Sequence, residues 1–321
     1  MAEWRRLAAA DVQAILRAFG IAGYRAHHPI AVGTINTNVR VETDGQPLFL
    51  RINEGKSRGD VEREAEIVSW VAARGVPTPQ PHRTPRGQPF VSWQDQLASL
   101  FPWVTGRTLA RAELTPGHAA AAGRALAQLH LAGAAHPDRR GGRYEPEEID
   151  RRLATVGALA QPELAPAVAT LQPELRALAV ERRPQLPSGI IHGDLFVDNV
   201  LFHDDGTLSA LLDFEQASWG RWAYDLAVAA LAFGFGADDF RADVTRALLN
   251  AYAAVRPPTA DERAGFGAEL RFAACRFAVT RITDVHLKRA SGAAPGKRFQ
   301  RYLDRLARIK HHLAGDTLLA L

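Results

Sequence analysis

The chain has 321 residues, 47% of them apolar, which is ample for a packed core and leaves room for one large domain or two lobes. Its 39 basic and 35 acidic residues give a formal charge of +4, spread without a long basic run, so charge argues little for a nucleic-acid partner. A single cysteine, Cys275, excludes an intrachain disulfide and fits a reducing compartment. Trp4, Arg5, Arg6 and Asp11 interrupt any apolar leader, and the longest apolar run, Leu226 to Ala237, is too short to span a bilayer. The expectation is a soluble cytoplasmic protein with no membrane or nucleic-acid partner.

In chain order, Val12, Ile15, Leu16 and Phe19 share one face of a helix over 8–19 that Gly20 stops. Two strands follow, Asn38 to Glu42 and Pro47 to Ile52, joined by an Asp44-Gly45 turn. The small polar stretch 32–38 before them suits a loop between paired strands. Val61, Ala65, Val68 and Ala72 line a helix over 60–73, ended by Gly75, Pro77 and Pro79. Strands over 88–93 and 96–101 come next, and Pro102 and Gly106 break the pattern. Thr115 is suited to cap a helix reaching about Leu131, and further helices fall within 147–159 and 163–180. The shift from strands to helices predicts an α+β fold of two lobes, 1–103 and 104–321.

The densest chemistry lies in Ile190-Ile191-His192-Gly193-Asp194-Leu195-Phe196-Val197-Asp198-Asn199 and in Leu211-Leu212-Asp213-Phe214-Glu215. An apolar run, a polar loop, a strand, the Asp204-Asp205-Gly206 turn and a second strand return the chain so that Asp213 comes back near Asp194 and Asn199. Phosphoryl transfer from a nucleotide needs a carboxylate to accept the proton of the attacking hydroxyl and oxygen ligands to hold magnesium on the phosphates. Asp194 suits the first task, and Asn199 with Asp213 the second. Turn formation alone also favours Asp, Asn and Gly, but it does not ask for all of them in this order.

The segment resembles the catalytic core of protein-kinase-like small-molecule kinases, the group of aminoglycoside phosphotransferases, choline kinases and homoserine kinases. His192-Gly193-Asp194 and Asp213-Phe214-Glu215 stand where the general kinase pattern has His-Arg-Asp and Asp-Phe-Gly. The likeness to homoserine kinases extends through Gly75-Val76-Pro77-Thr78-Pro79, the stretches 123–133 and 186–192, Ala223-Tyr224-Asp225-Leu226-Ala227, 247–263 and 270–281. It implies a bilobal fold, with a small antiparallel sheet and one main helix in the N-terminal lobe and a mostly helical C-terminal lobe. It also implies ATP and Mg2+ as cofactors and a small-molecule alcohol as substrate. Glu64 then corresponds to the helix glutamate that pairs with a phosphate-binding lysine, a position taken here by Arg51. Arginine is permanently charged and forked, so it can hold phosphate oxygens in a different geometry. Gly33 and Thr34 fall in the phosphate-covering loop, where backbone amides can face phosphates. Phe101 and Trp103 fall in the adenine-binding linker, while His192 and Asp225 would support the catalytic loop.

Homoserine carries an alcohol, an ammonium and a carboxylate, so its pocket should offer both signs of charge. Asp198 and Glu215 are the acidic candidates; Arg140, Arg143, Arg276 and Arg281 are the basic ones. Glu215 departs from the aromatic residue that homoserine kinases tend to have there, which keeps open a kinase of choline, an aminoglycoside or another amino alcohol. Arg51 keeps open a nucleotide-binding pseudokinase that regulates a partner. His130 reads as a satisfied core histidine, His311 and His312 as surface residues, and Cys275 as a small buried hydrophobe.

Overall fold

Alternating apolar residues in the first hundred positions build an antiparallel sheet. The computed structural model describes residues 6–30, 36–183, 185–236, 240–288 and 298–314. Within these, strands β1 (Tyr24–Ile30), β2 (Thr37–Thr43), β3 (Leu48–Asn53), β4 (Val91–Trp93) and β5 (Gln96–Pro102) form one sheet in the order β1-β2-β3-β5-β4. Val39 pairs with Leu50 and Val41 with Leu48, so one face is continuously apolar. Helix α1 (Ala9–Ala18) lays Val12, Ile15 and Leu16 on that face. Period-two alternation sends Phe49 and Arg51 to the other face, opposite Phe101 and Ser99 of β5.

Two boundaries differ from the sequence expectation. Strand β1 was not anticipated: it is an edge strand paired only with β2, and its residues, among them half-buried His27 and exposed His28 and Pro29, carry no alternating pattern. The strand expected from Gln88 begins only at Val91, because Thr84 and Gln88 close a turn on each other through Thr84 N to Gln88 O at 2.8 Å.

Helix α2 (Arg58–Ala72) is capped by Ser57, whose Oγ accepts the Asp60 amide while Asp60 Oδ2 accepts the Ser57 amide. Its Ile67, Val68 and Val71 join the core of the second half of the chain rather than that of the sheet. Trp70 Nε1 donates to the Ala132 carbonyl at 2.9 Å, and Arg63 pairs with Asp138 at 2.8 Å. Its Val61 packs with Phe90 and with Leu97 of β5, so the helix is bound to both lobes.

The large lobe contains α3 (Pro116–Gly133), α4 (Pro146–Ala158), α5 (Ala165–Glu181), α6 (Trp222–Gly234), α7 (Ala242–Val255), α8 (Ala260–Arg281) and α9 (Gln300–Ala314). Thr115 caps α3 as expected. Two short antiparallel pairs sit among them: β6 (Ser188–Ile191) with β9 (Ser218–Arg221), and β7 (Val200–Phe202) with β8 (Leu208–Leu211). The long apolar run falls mostly in α6, whose residues from Ala223 to Gly234 are all buried; no helix of the described residues is long and apolar enough to cross a membrane.

Helices α3 and α7 meet at Gly123, where an added methyl group would collide with the Leu248 carbonyl oxygen. In an open helix, Gly→Ala gains about 1 kcal/mol, whereas overpacking a closed contact costs about 1–3 kcal/mol. Gly123→Ala should therefore lower stability in urea denaturation; a rise in stability would show that the two helices separate freely.

Candidate active site

The loop after β6 is shaped by one buried carboxylate. Asp225, fully buried on α6, accepts the amides of His192 and Gly193, both at 2.7 Å, and faces His130 Nε2 at 3.0 Å. His130 Nδ1 in turn meets the Tyr252 hydroxyl at 2.7 Å, so the histidine is satisfied in the core as expected. Burial alone would raise the Asp225 carboxyl, but His130, His192 and the amides outweigh it and hold the group below its usual range. Gly193 is required here: its φ is +74°, and a Cβ would stand 2.8 Å from the Gln216 carbonyl oxygen.

That loop is stitched to the segment ending in Asp213. His192 Nε2 lies 2.9 Å from the Leu212 carbonyl, and the Leu212 amide donates to the Asn199 carbonyl at 2.9 Å. Asn199 Nδ2 donates to the Asp194 backbone carbonyl at 2.8 Å, which directs the amide nitrogen to the loop and turns the amide oxygen, an acceptor, away from that carbonyl. Asp213 has left-handed backbone angles (φ 62°, ψ 64°), a strain of about 1–3 kcal/mol that is typical of functional sites. Its Oδ1 is buried without a hydrogen-bond partner, and burial pushes the carboxyl up to about 7, opposed by Arg51 and reinforced by Glu215, Glu64 and Asp194. A buried carboxylate oxygen without a partner suits a cation. Among the described residues no group of three or more His, Cys, Asp or Glu is placed to hold a metal ion.

Across the cleft, Arg51 Nη1 contacts Glu64 Oε1 at 3.1 Å and Glu215 Oε1 at 3.5 Å. Lys56, absent from the sequence expectations, reaches Glu64 Oε2 at 3.0 Å and Glu215 Oε1 at 2.9 Å. Asn36 Nδ2 also donates to Glu215. Burial would raise the Glu215 carboxyl, yet Arg51, Lys56 and Asn36 together hold it low. Glu215, expected among the substrate contacts, is thus engaged by the cations of the small lobe. Phe101 packs in the sheet against Phe49, and the Trp103 amide donates to the Pro47 carbonyl at 3.0 Å. Gly33 and Thr34 lie outside the described residues.

On the other side of Asp194 is a cavity of about 340 Å³ lined by Arg143, Tyr144, Arg182, Arg221, Tyr224 and Arg276. Asp194 keeps 31% of its side chain exposed, and Arg276, 3% exposed, places Nη1 3.4 Å from its Oδ1. Arg182 and Arg221 share the buried Glu269 at 2.7 and 3.0 Å. The Arg276 Nε and the Tyr224 hydroxyl are buried without partners. Neither Asp198, exposed on the turn Val197–Asn199, nor Arg281, half-buried at the end of α8, lines this cavity. Arg140 is held by Asp138 at 2.7 Å. Of the four candidate arginines, Arg276 and Arg143 reach the cavity.

The two aspartates should respond oppositely to amidation. Asp225→Asn removes charge-assisted acceptors and should cost at least about 1.5–3 kcal/mol. Asp213→Asn relieves a buried under-satisfied carboxylate and should stabilise the ligand-free protein by about 1–3 kcal/mol. Because the folded Asp213 carboxyl is raised above its unfolded value, its stability contribution is complete below about pH 4 and is lost as pH rises to about 7. The advantage of Asp213→Asn in urea denaturation should therefore grow over that window; a destabilised Asp213→Asn variant would contradict this electrostatic account.

Comparison with known proteins agrees with this geometry. The phosphotransferase enzyme family matches residues 27–258. A homoserine kinase of Xanthobacter autotrophicus is 34% identical over 99% of this chain and 98% of its own. A homoserine kinase of Rhodospirillum rubrum is 36% identical over 85% of each chain. Among solved structures, an aminoglycoside phosphotransferase from Alicyclobacillus acidocaldarius superposes with a TM-score of 0.70 at 18% identity, covering 97% of this chain and 96% of that one, a likeness of fold. With its sheet-bearing small lobe, its helical large lobe and these relatives, the chain belongs to the phosphotransferase enzyme family, with homoserine kinases among its relatives over nearly the full length.

Proposed function

We propose that the protein is an ATP-dependent kinase that transfers the terminal phosphate to the side-chain hydroxyl of L-homoserine. In this reading residues 1–103 form the nucleotide-binding lobe, and 104–321 carry the catalytic loop and the acceptor site. Its setting is cytoplasmic, where a reduced Cys275 is at home. The observation that carries the reading is the cavity beside Asp194, whose buried donors, Arg276 Nε and the Tyr224 hydroxyl, lack partners. Unpaired buried donors are costly, and a carboxylate in this cavity would pair with the Arg276 guanidinium. Full-length relatives named as homoserine kinases support the same acceptor.

The chemistry follows from positioning. Asp194 orients the acceptor hydroxyl and takes its proton as the phosphoryl group is transferred. Arg276 holds one Asp194 oxygen, leaving the other for the hydroxyl. Asp225 and Gly193 fix the loop that presents Asp194, so the carboxylate needs no reorganisation as charge develops. Asn199 and Asp213 offer the oxygens for magnesium, which supplies charge neutralisation on the phosphates. Phe101 and Trp103 belong to the adenine end of the cleft in this reading. A polycationic aminoglycoside would meet four arginines, Arg143, Arg182, Arg221 and Arg276, against two lining glutamates, Glu145 and Glu147, an excess of the wrong sign of charge for such an acceptor.

Phosphate transfer from MgATP should be selective for L-homoserine over choline, ethanolamine and kanamycin by at least about 100-fold in kcat/KM. Faster turnover of an amine lacking a carboxylate would overturn the acceptor assignment. Asp194→Asn should lower kcat by at least about 100-fold with KM little changed; activity near that of the parent would remove Asp194 from the mechanism. Arg276→Met should raise the KM for L-homoserine by about 10-fold or more and narrow its preference over ethanolamine, whereas equal losses for both acceptors would mean that Arg276 serves only the loop.

A further inference from the structure

Two cations and three carboxylates meet where the small lobe faces the Asp213 turn, and the two cations are not held alike. Arg51 is built into the wall. It lies on β3, which is paired on both sides, and its guanidinium stands 5.7 Å from the ring centres of both Phe49 and Phe101. Its side chain is 12% exposed and commits Nη1 to Glu64 and Glu215. Lys56 is placed differently. It follows the turn at Glu54-Gly55, where Gly55 has φ +68°, and precedes the Ser57 cap of α2. Its four-carbon stem comes from an irregular segment, and its ammonium bridges Glu64 Oε2 and Glu215 Oε1 with two of its three donors.

The position of that ammonium matters because Glu215 follows Asp213 by two residues. A cation on Glu215 is therefore beside the carboxylate that would hold magnesium, where the charged tail of a nucleotide has to lie. Arg51 and Lys56 both pair with Glu64 and Glu215, and Arg51 also acts on Asp213, so deleting Lys56 would leave one cation against three carboxylates in front of a polyanion. Arg51 cannot leave its wall without stripping Glu64 and the aromatic pair. Lys56 can exchange one carboxylate for a phosphate oxygen by rotating a flexible stem.

We propose that Lys56 is the residue that contacts the nucleotide phosphates, and that Arg51 is a fixed positioning residue that holds Glu64. The inference rests on the kinase reading above but not on the identity of the acceptor. Arginine at position 51 is then no sign of a lost activity, because the two tasks that one strand lysine could perform are divided between two residues.

The test is titration of the magnesium complex of AMP-PNP, and separately of adenosine, into wild type, Lys56→Met, Lys56→Gln and Lys56→Arg, with thermal unfolding as a check on folding. Lys56→Met and Lys56→Gln should weaken AMP-PNP by about 10- to 100-fold, the worth of a charge-assisted hydrogen bond, and leave adenosine within about twofold. Lys56→Arg should recover most of the loss. AMP-PNP binding within about threefold of wild type in both neutral variants would overturn the proposal, as would equal losses of AMP-PNP and adenosine. If wild type binds AMP-PNP but phosphorylates no L-homoserine, the acceptor fails while a selective loss in the Lys56 variants still supports this role. If wild type binds no AMP-PNP, both fall.

Discussion

A single buried carboxylate organises the catalytic half of this protein. Asp225 accepts two consecutive backbone amides, those of His192 and Gly193, and is itself held by His130. Two amides converging on one carboxylate force a tight bend at the end of β6, and the glycine conformation at 193 lets the bend press against the Gln216 carbonyl. The bend determines where Asp194 begins, where Asn199 can reach back, and how closely the Asp213 segment runs alongside. His130 is anchored to Tyr252, which also accepts from Arg256, and Arg256 pairs with Glu262. The active loop therefore rests on a chain of buried polar groups spanning α3, α6, α7 and α8. In a low-dielectric interior such a network is rigid when complete and costly when broken.

The facing half is organised by charge. Arg51, Lys56, Glu64 and Glu215 close a network between the sheet, α2 and the turn after Asp213. Helix α2 lends its apolar face to the large-lobe core and its Glu64 to the cleft, so packing on one side sets the electrostatics on the other. Asp213 is the exception: strained in its backbone and orphaned at Oδ1, it costs stability in the ligand-free protein. Local strain and an unsatisfied group coincide at the residue whose chemistry calls for a cation, as expected where function opposes stability.

Much of this was legible in the sequence because the information is local. The Asp44-Gly45 turn, the Thr115 cap, the alternation of β2 and β3 and the His192-Gly193-Asp194 loop each depend on residues a few positions apart. What was not legible depends on distance along the chain. Arg276 meets Asp194 from 82 positions away, and Arg51 meets Glu215 from 164. Glu215 read as a substrate contact because it follows Asp213, one of the residues proposed for phosphoryl transfer, while its partners in space are cations of the other lobe. Lys56 was passed over because it precedes a helix cap, where lysine is unremarkable. Strand β1 escaped because an edge strand needs no apolar alternation.

The central claim is that Asp194, Asn199 and Asp213 form one phosphoryl-transfer centre with an amino-acid acceptor in the adjoining cavity. The most direct measurement is a crystal structure with AMP-PNP, magnesium and L-homoserine bound together. The account predicts the acceptor hydroxyl within hydrogen-bond distance of Asp194, its carboxylate on Arg276 and Tyr224, and magnesium on Asn199 and Asp213. An acceptor seated away from Asp194, or magnesium bound without Asp213, would contradict it.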